Sequence, residues 1–92
     1  MYTYSARLTF WIPHSDSLKD KRQVSRSLIN KARRRFNASV AEVDTQDIRR
    51  TLTLGVAVVS GEANHANKSL DEIIRYMEEN ADAELTEVQK YL

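Results

Sequence analysis

Residues Ser17 to Phe36, SLKDKRQVSRSLINKARRRF, carry two demands at once, and few folds meet both. Eight of the fourteen lysines and arginines lie here (Lys19, Lys21, Arg22, Arg26, Lys31, Arg33, Arg34, Arg35), against one acid, Asp20. The apolar residues nevertheless recur at helical intervals. Set out at about 100° per residue, Leu18, Val24, Ser25, Leu28, Ile29, Ala32 and Phe36 fill an arc of about 140°, wide enough for a core stripe. Lys19, Arg22, Arg26 and Arg33 form a row on the opposite side. Lys21 falls inside the apolar arc, where its stem can lie along the core edge while its ammonium reaches out to solvent or meets a carboxylate. Such a helix must lie on another layer and still face outward with its cations.

The layer is supplied by strands. From Tyr2 to Ile12 the residues alternate, with Tyr2, Tyr4, Ala6, Leu8, Phe10 and Ile12 on one side. Pro13 ends that run because it cannot donate to a ladder. The segment HSDS then offers oxygens to the free amides of the basic helix, with Ser15 and Asp16 the expected caps. Asn37 suits the helix stop, since its side chain tolerates the left-handed conformation. Ser39 to Asp44 reads as a second strand, Thr45-Gln46-Asp47 as a turn, and Thr51 to Ser60 as a third strand. Asn64 is the expected cap of a second helix, in which Ala66, Leu70, Ile73, Ile74 and Met77 repeat at three and four. A last strand runs from Ala83 to Leu92. Its alternation slips by one between Leu85 and Val88, the mark of a bulge on an edge strand.

The order is therefore βαββαβ. It predicts an α+β fold, the ferredoxin-like plait: a four-stranded antiparallel sheet in the order 4-1-3-2, with two helices on one face. Right-handed crossovers put the first and third strands, the most apolar, at the centre. Residues 1–92 suffice for a single domain and one core. That topology gathers His14, Asp16, Lys19, Lys21 and Arg22 on one rim with Asp44, Gln46, Asp47, Arg49 and Arg50, and sends His65 to the other end.

Charge and composition narrow the function. The net charge is +1, yet residues 17–37 sum to +7 and residues 61–92 to −5, a polarised surface that invites an anionic partner or pairs with itself, within the fold or between two copies. There are no cysteines, which excludes disulfides and thiolate metal sites and fits a cytoplasmic location. No apolar run reaches the roughly 18–20 residues of a membrane span, so no membrane partner is expected. The amino terminus, MYTYSARLTF, lacks the order of a signal peptide.

The candidate nucleic-acid or anion-binding residues are Lys19, Arg22, Arg26, Arg33 and Arg34, since cations in a row release counterions from a phosphate backbone. Two readings stay open for them: a phosphate-binding face, or a face that is solvated or paired with acids of a second subunit. The amides at the helix start could hold an anion beside Lys19 and Lys21 unless caps occupy them. Lys21 and Asp44 are the expected rim pair. Asp44, Asp47 and His14 raise acid–base or metal chemistry, but turn aspartates more commonly bond their own backbone, so no catalytic residue, metal or cofactor is assigned. The outer sheet face offers Thr53, Gly55 and Ala57 on the third strand and only Arg7 and Trp11 on the first. That is not the aromatic platform of single-strand RNA-binding sheets, and it fits packing between identical subunits better. No nucleophile–base pair or glycine-rich phosphate loop is present.

Several blocks together, SLKDKR at 17–22, RRRFNASVAEVDTQD at 33–47, LGVAVVSG at 54–61 and HANKSLDEIIRYME at 65–78, resemble the YlxP-like family of small bacterial proteins, a domain of unknown function. The resemblance covers nearly the whole chain. It implies a ferredoxin-like fold, often a dimer, and genes beside those for translation initiation and small-subunit maturation. Members often carry a Trp shortly after the QD pair, where this chain has Ile48 and Arg49. The leading expectation is a non-catalytic module that contacts structured RNA or the ribosome through its basic helix. The alternative is a protein–protein adaptor or structural homodimer without a nucleic-acid ligand.

Overall fold

The alternation in the first ten residues becomes a strand whose even-numbered side is sealed from Ala6 onward, while Tyr2 stays 44% exposed. In the computed structural model, which describes residues 1–92, β1 (Tyr2–Trp11) buries Ala6, Leu8 and Phe10, and Ile12 just beyond it. The chain turns at Pro13 into α1 (Leu18–Arg35). Ser17, not Ser15 or Asp16, caps this helix: its Oγ accepts from Asp20 N at 3.1 Å. Asp20 Oδ2 in turn accepts from Asp16 N at 3.1 Å, one residue before the cap, so the acid reaches back past Ser17 and ties down the entering loop. Ser15 lies fully buried, its hydroxyl on Ser17 O.

The far end of α1 departs from the expectation for Asn37. Phe36 leaves the helix with extended backbone (φ −125°, ψ 148°), and the sole positive-φ residue of the chain is Thr45. Phe36 instead docks edge-on against Tyr76, 5.3 Å between ring centres, so a tertiary contact stops the helix where a left-handed residue was foreseen. After β2 (Ser39–Asp44) and β3 (Thr51–Ser60), α2 (Ala63–Asn80) starts earlier than Asn64 implied. Glu62 is its N-cap residue without a side-chain bond, and Ser60 Oγ accepts from Glu62 N at 3.1 Å. β4 (Glu84–Tyr91) closes the chain.

All strand pairs are antiparallel, in the order β2-β3-β1-β4; counted from the β4 edge this is the expected 4-1-3-2. Both helices lie on the face that carries Leu8, Phe10, Leu52, Leu54 and Val56, and fifteen buried apolar residues form one core there. α1 contributes Leu28 and Ala32, with Ser25 and Lys21 also buried; Val24 and Ile29 flank them half-buried. No helix is long and apolar enough to cross a membrane.

Two bulges shape the edges. On β4, Phe10 pairs with Leu85 but Thr9 with Glu87, so Thr86 is the extra residue between Leu85 and Val88. Its hydroxyl donates to Thr9 O at 3.0 Å, which holds the slip in place. On β2, Glu42 pairs with Leu54 and Asp44 with Thr53, leaving Val43 as the extra residue. This second bulge sets the geometry of the site.

Candidate polyanion-binding face of the first helix

Without a bulge, Val40, Glu42 and Asp44 would all point to the helices. The extra residue at Val43 turns Asp44 away, and only Val40 and Glu42 remain on that side. The partner of Lys21 is therefore Glu42, not Asp44. Lys21 Nζ lies 3.1 Å from Glu42 Oε2 and also donates to Thr45 O. The lysine side chain is 1% exposed and the glutamate 20%. The Oε2 contact is one of charge, since this atom makes no aligned hydrogen bond. Asp44 instead accepts from Thr45 N through Oδ1 at 2.8 Å.

Thr45 is bent into the left-handed region at φ 59°, which costs a threonine about 1–2 kcal/mol. The conformation is held from several directions. Thr45 Oγ1 donates to Thr51 O at 3.1 Å and lies 3.0 Å from Thr53 Oγ1, while its carbonyl receives the Lys21 ammonium. The buried lysine of α1 thus ties the helix to both the edge strand and the turn that follows it.

On the flank facing β2, Arg22, Arg26 and Arg33 line a groove of about 330 Å³ whose other wall includes Ala41 and Glu42. Lys19 and Arg34 lie outside it; both are exposed, and Arg34 Nε donates to Asn30 O at 3.3 Å. Arg33 is exposed but committed, its Nη2 donating to Val40 O at 2.7 Å, an outward carbonyl of the edge strand. Arg35 sits over the rings of Phe36 and Tyr76, 5.8 and 5.2 Å from their centres.

The expected alternative of neutralisation by the chain's own acids does not hold within one copy. The four ion pairs are His14–Asp82, Lys21–Glu42, Arg50–Asp16 and Lys90–Asp71. None includes Lys19, Arg22, Arg26, Lys31, Arg33, Arg34 or Arg35. Arg22 and Arg26, one turn apart, repel each other by a few tenths of a kcal/mol, and the one carboxylate beside them, that of Glu42, is already paired with Lys21. The acidic second half spends its contacts elsewhere, as in Asp71 on Lys90 of β4.

The rest of the rim serves the fold. Ile12 N donates to Arg50 O at 2.8 Å, Arg50 Nε to Ser15 O at 3.1 Å and Arg49 Nη1 to Asp16 O at 3.1 Å, which fastens the β2–β3 turn to the loop before α1. His14 turns from Asp44 and Asp47 to Asp82, 3.3 Å from its Oδ2, at the entry to β4. No three His, Asp or Glu side chains converge as a metal site would require. His65 lies at the other end, in a cleft with Phe36 and Val59.

The outer face of the sheet is centred on small residues, as the alternation foretold, but Thr53 there is only 3% exposed. Val43, on the outer side of β2, lies across Gly55: a Cβ at residue 55 would stand 2.7 Å from Val43 Cγ1. Tyr91 pairs with Ser5 on this face and is 46% exposed, a residue the sequence did not single out because the slip in β4 obscured its side.

With this geometry in place, two comparisons bear on kinship. The chain is 29% identical over 70 residues to the uncharacterised protein YlxP of Bacillus subtilis (strain 168), an alignment that spans 76% of each protein. The profile of a family described as proteins of unknown function, DUF503, matches residues 3–90. Since that match takes in almost every residue of the sheet and both helices, the chain belongs to the DUF503 family.

Proposed function

We propose that this chain is a non-catalytic, cytoplasmic RNA-binding module of the ferredoxin-like kind, which meets structured or ribosomal RNA through the exposed cations of α1, centred on the flank that faces β2. One observation carries the reading: seven cations of one helix are exposed and lack any carboxylate partner, while the carboxylates of α2 and β4 pair elsewhere or face solvent. A surface that keeps like charges together pays for their repulsion unless a polyanion relieves it. Arg22 and Arg26 are the core of the contact. Lys19, Arg34 and Lys31 widen it, and Arg33 serves both the RNA and the β2 edge.

The test is filter binding or anisotropy with ribosomal RNA fragments across a salt series. Arg22→Glu with Arg26→Glu should abolish binding and leave thermal stability nearly unchanged, because neither side chain bonds within the fold. If the unaltered chain binds no RNA in a salt-dependent way, the reading fails.

A second reading rests on a different surface. Trp11, Val43, Val59 and Tyr91 are 46%, 49%, 62% and 46% exposed, and the strand alternation sets them on the outer sheet face. A homodimer or adaptor that packs on this face would cover them and leave α1 free. Sedimentation at low and high salt separates the possibilities, since an apolar contact persists in salt and pairing of α1 with a neighbour's acids does not.

A further inference from the structure

The groove between α1 and β2 contains one group that phosphate tracking alone does not need. Arg22 and Arg26 stand about 6 Å apart along the helix axis, Arg33 closes the end, and Ile29 gives the lining an apolar part. Set among them is the carboxylate of Glu42. Its Oε2 is buried against Lys21. Its Oε1 makes no hydrogen bond in the chain and, unlike Oε2, is not fully enclosed, so a side chain that lines the groove and is 20% exposed keeps a free acceptor. A phosphate laid over this oxygen would meet a like charge, whereas an N–H group would find a free lone pair.

We infer that the groove accepts one unpaired nucleotide of an RNA strand, with its phosphates on Arg22 and Arg26 and an exocyclic amine of its base on Glu42 Oε1. This rests on the RNA-binding reading above and adds the class of nucleotide. A volume of about 330 Å³ suits a single nucleotide. In an A-form duplex the second amine hydrogen of cytosine points into a deep, narrow major groove that side chains cannot reach, so the strand must be single or looped out. Cytosine and uracil make the sharpest comparison. Cytosine presents an amine donor at the position where uracil presents a carbonyl, and two acceptors face to face repel.

The experiment is fluorescence anisotropy of the full chain with oligocytidine, oligouridine and a blunt RNA duplex of equal length, at one fixed salt concentration. Oligocytidine should bind on the order of tenfold more tightly than oligouridine, and the duplex more weakly than oligocytidine. Glu42→Gln should bring the cytidine-to-uridine ratio toward one while Arg22→Ala weakens both strands alike. Equal affinity for the two strands, or a preference for the duplex, overturns the inference and leaves the RNA reading standing. Absence of salt-dependent binding to any of the three overturns both. The comparison of strands uses the unaltered chain, so it decides the matter even if Glu42→Gln does not fold.

Discussion

Lys21 and Glu42 meet 3.1 Å apart between α1 and the edge strand β2, and the lysine is the most enclosed charged side chain in the protein. Twenty-one residues of sequence separate them. The pair exists because a bulge at Val43 leaves Glu42, and not Asp44, facing the helices. Removing the lysine leaves a cavity and a buried carboxylate oxygen of Glu42 without its counter-charge, whereas replacing both with apolar residues removes the desolvation cost as well.

Lys21→Ala should therefore destabilise the chain by about 3–5 kcal/mol. Lys21→Met combined with Glu42→Leu should recover most of that loss. Urea unfolding of the single and double variants measures both, and a double variant no more stable than the single would show that the pair contributes more than charge compensation.

Gly55→Ala should cost about 1–3 kcal/mol, because the added methyl meets Val43 Cγ1 at 2.7 Å. Val43→Ala in the same chain should restore much of it, since the obstruction is a side chain and not backbone. Chemical denaturation of the two singles and the double closes the cycle, and additive costs would mean that the two residues do not touch.

Ser17→Ala should cost about 1 kcal/mol through loss of the cap on Asp20 N. Asn37→Ala and Asn64→Ala, by contrast, should stay within about 0.5 kcal/mol of the parent, since neither residue caps a helix. Thermal unfolding of the three variants ranks them; an Asn37 effect as large as that of Ser17 would contradict the observed helix end.

Much of this architecture could be read from the residues alone, and the exceptions have physical causes. The strands β1 and β3 show their alternation plainly, because one face carries the core, and Thr53, 3% exposed on the outer side of β3, is the exception. The bulge in β4 betrayed itself because Leu85 and Val88 broke the period. The bulge in β2 did not, since Val40, Ala41 and Val43 already mix both faces and a slip among them leaves no trace. Hence the basic row on α1 and the enclosed position of Lys21 were legible, while its partner was assigned one strand position too far along. Phe36 was visible as an apolar residue, but its docking on Tyr76 joins residues from separate helices, which no local pattern encodes.

Arg33→Ala should have a mixed effect that Arg22→Ala and Arg26→Ala lack. Loss of the bond to Val40 O should reduce stability by about 0.5–1.5 kcal/mol, whereas the other two should fall within about 0.5 kcal/mol. Hydrogen exchange of the β2 amides would report the loosened edge. Equal stability in all three would mean that Arg33 does not hold that strand.

The most direct test of the central claim, that α1 presents unneutralised cations to a polyanion, is the salt dependence of RNA binding by the unaltered chain. With Arg22, Arg26 and a flanking cation engaged, the logarithm of the association constant should fall against the logarithm of salt with a slope of about −2 or steeper, and Arg22→Ala should make it shallower by roughly 0.7. A slope near zero, or one that Arg22→Ala leaves unchanged, would contradict the account.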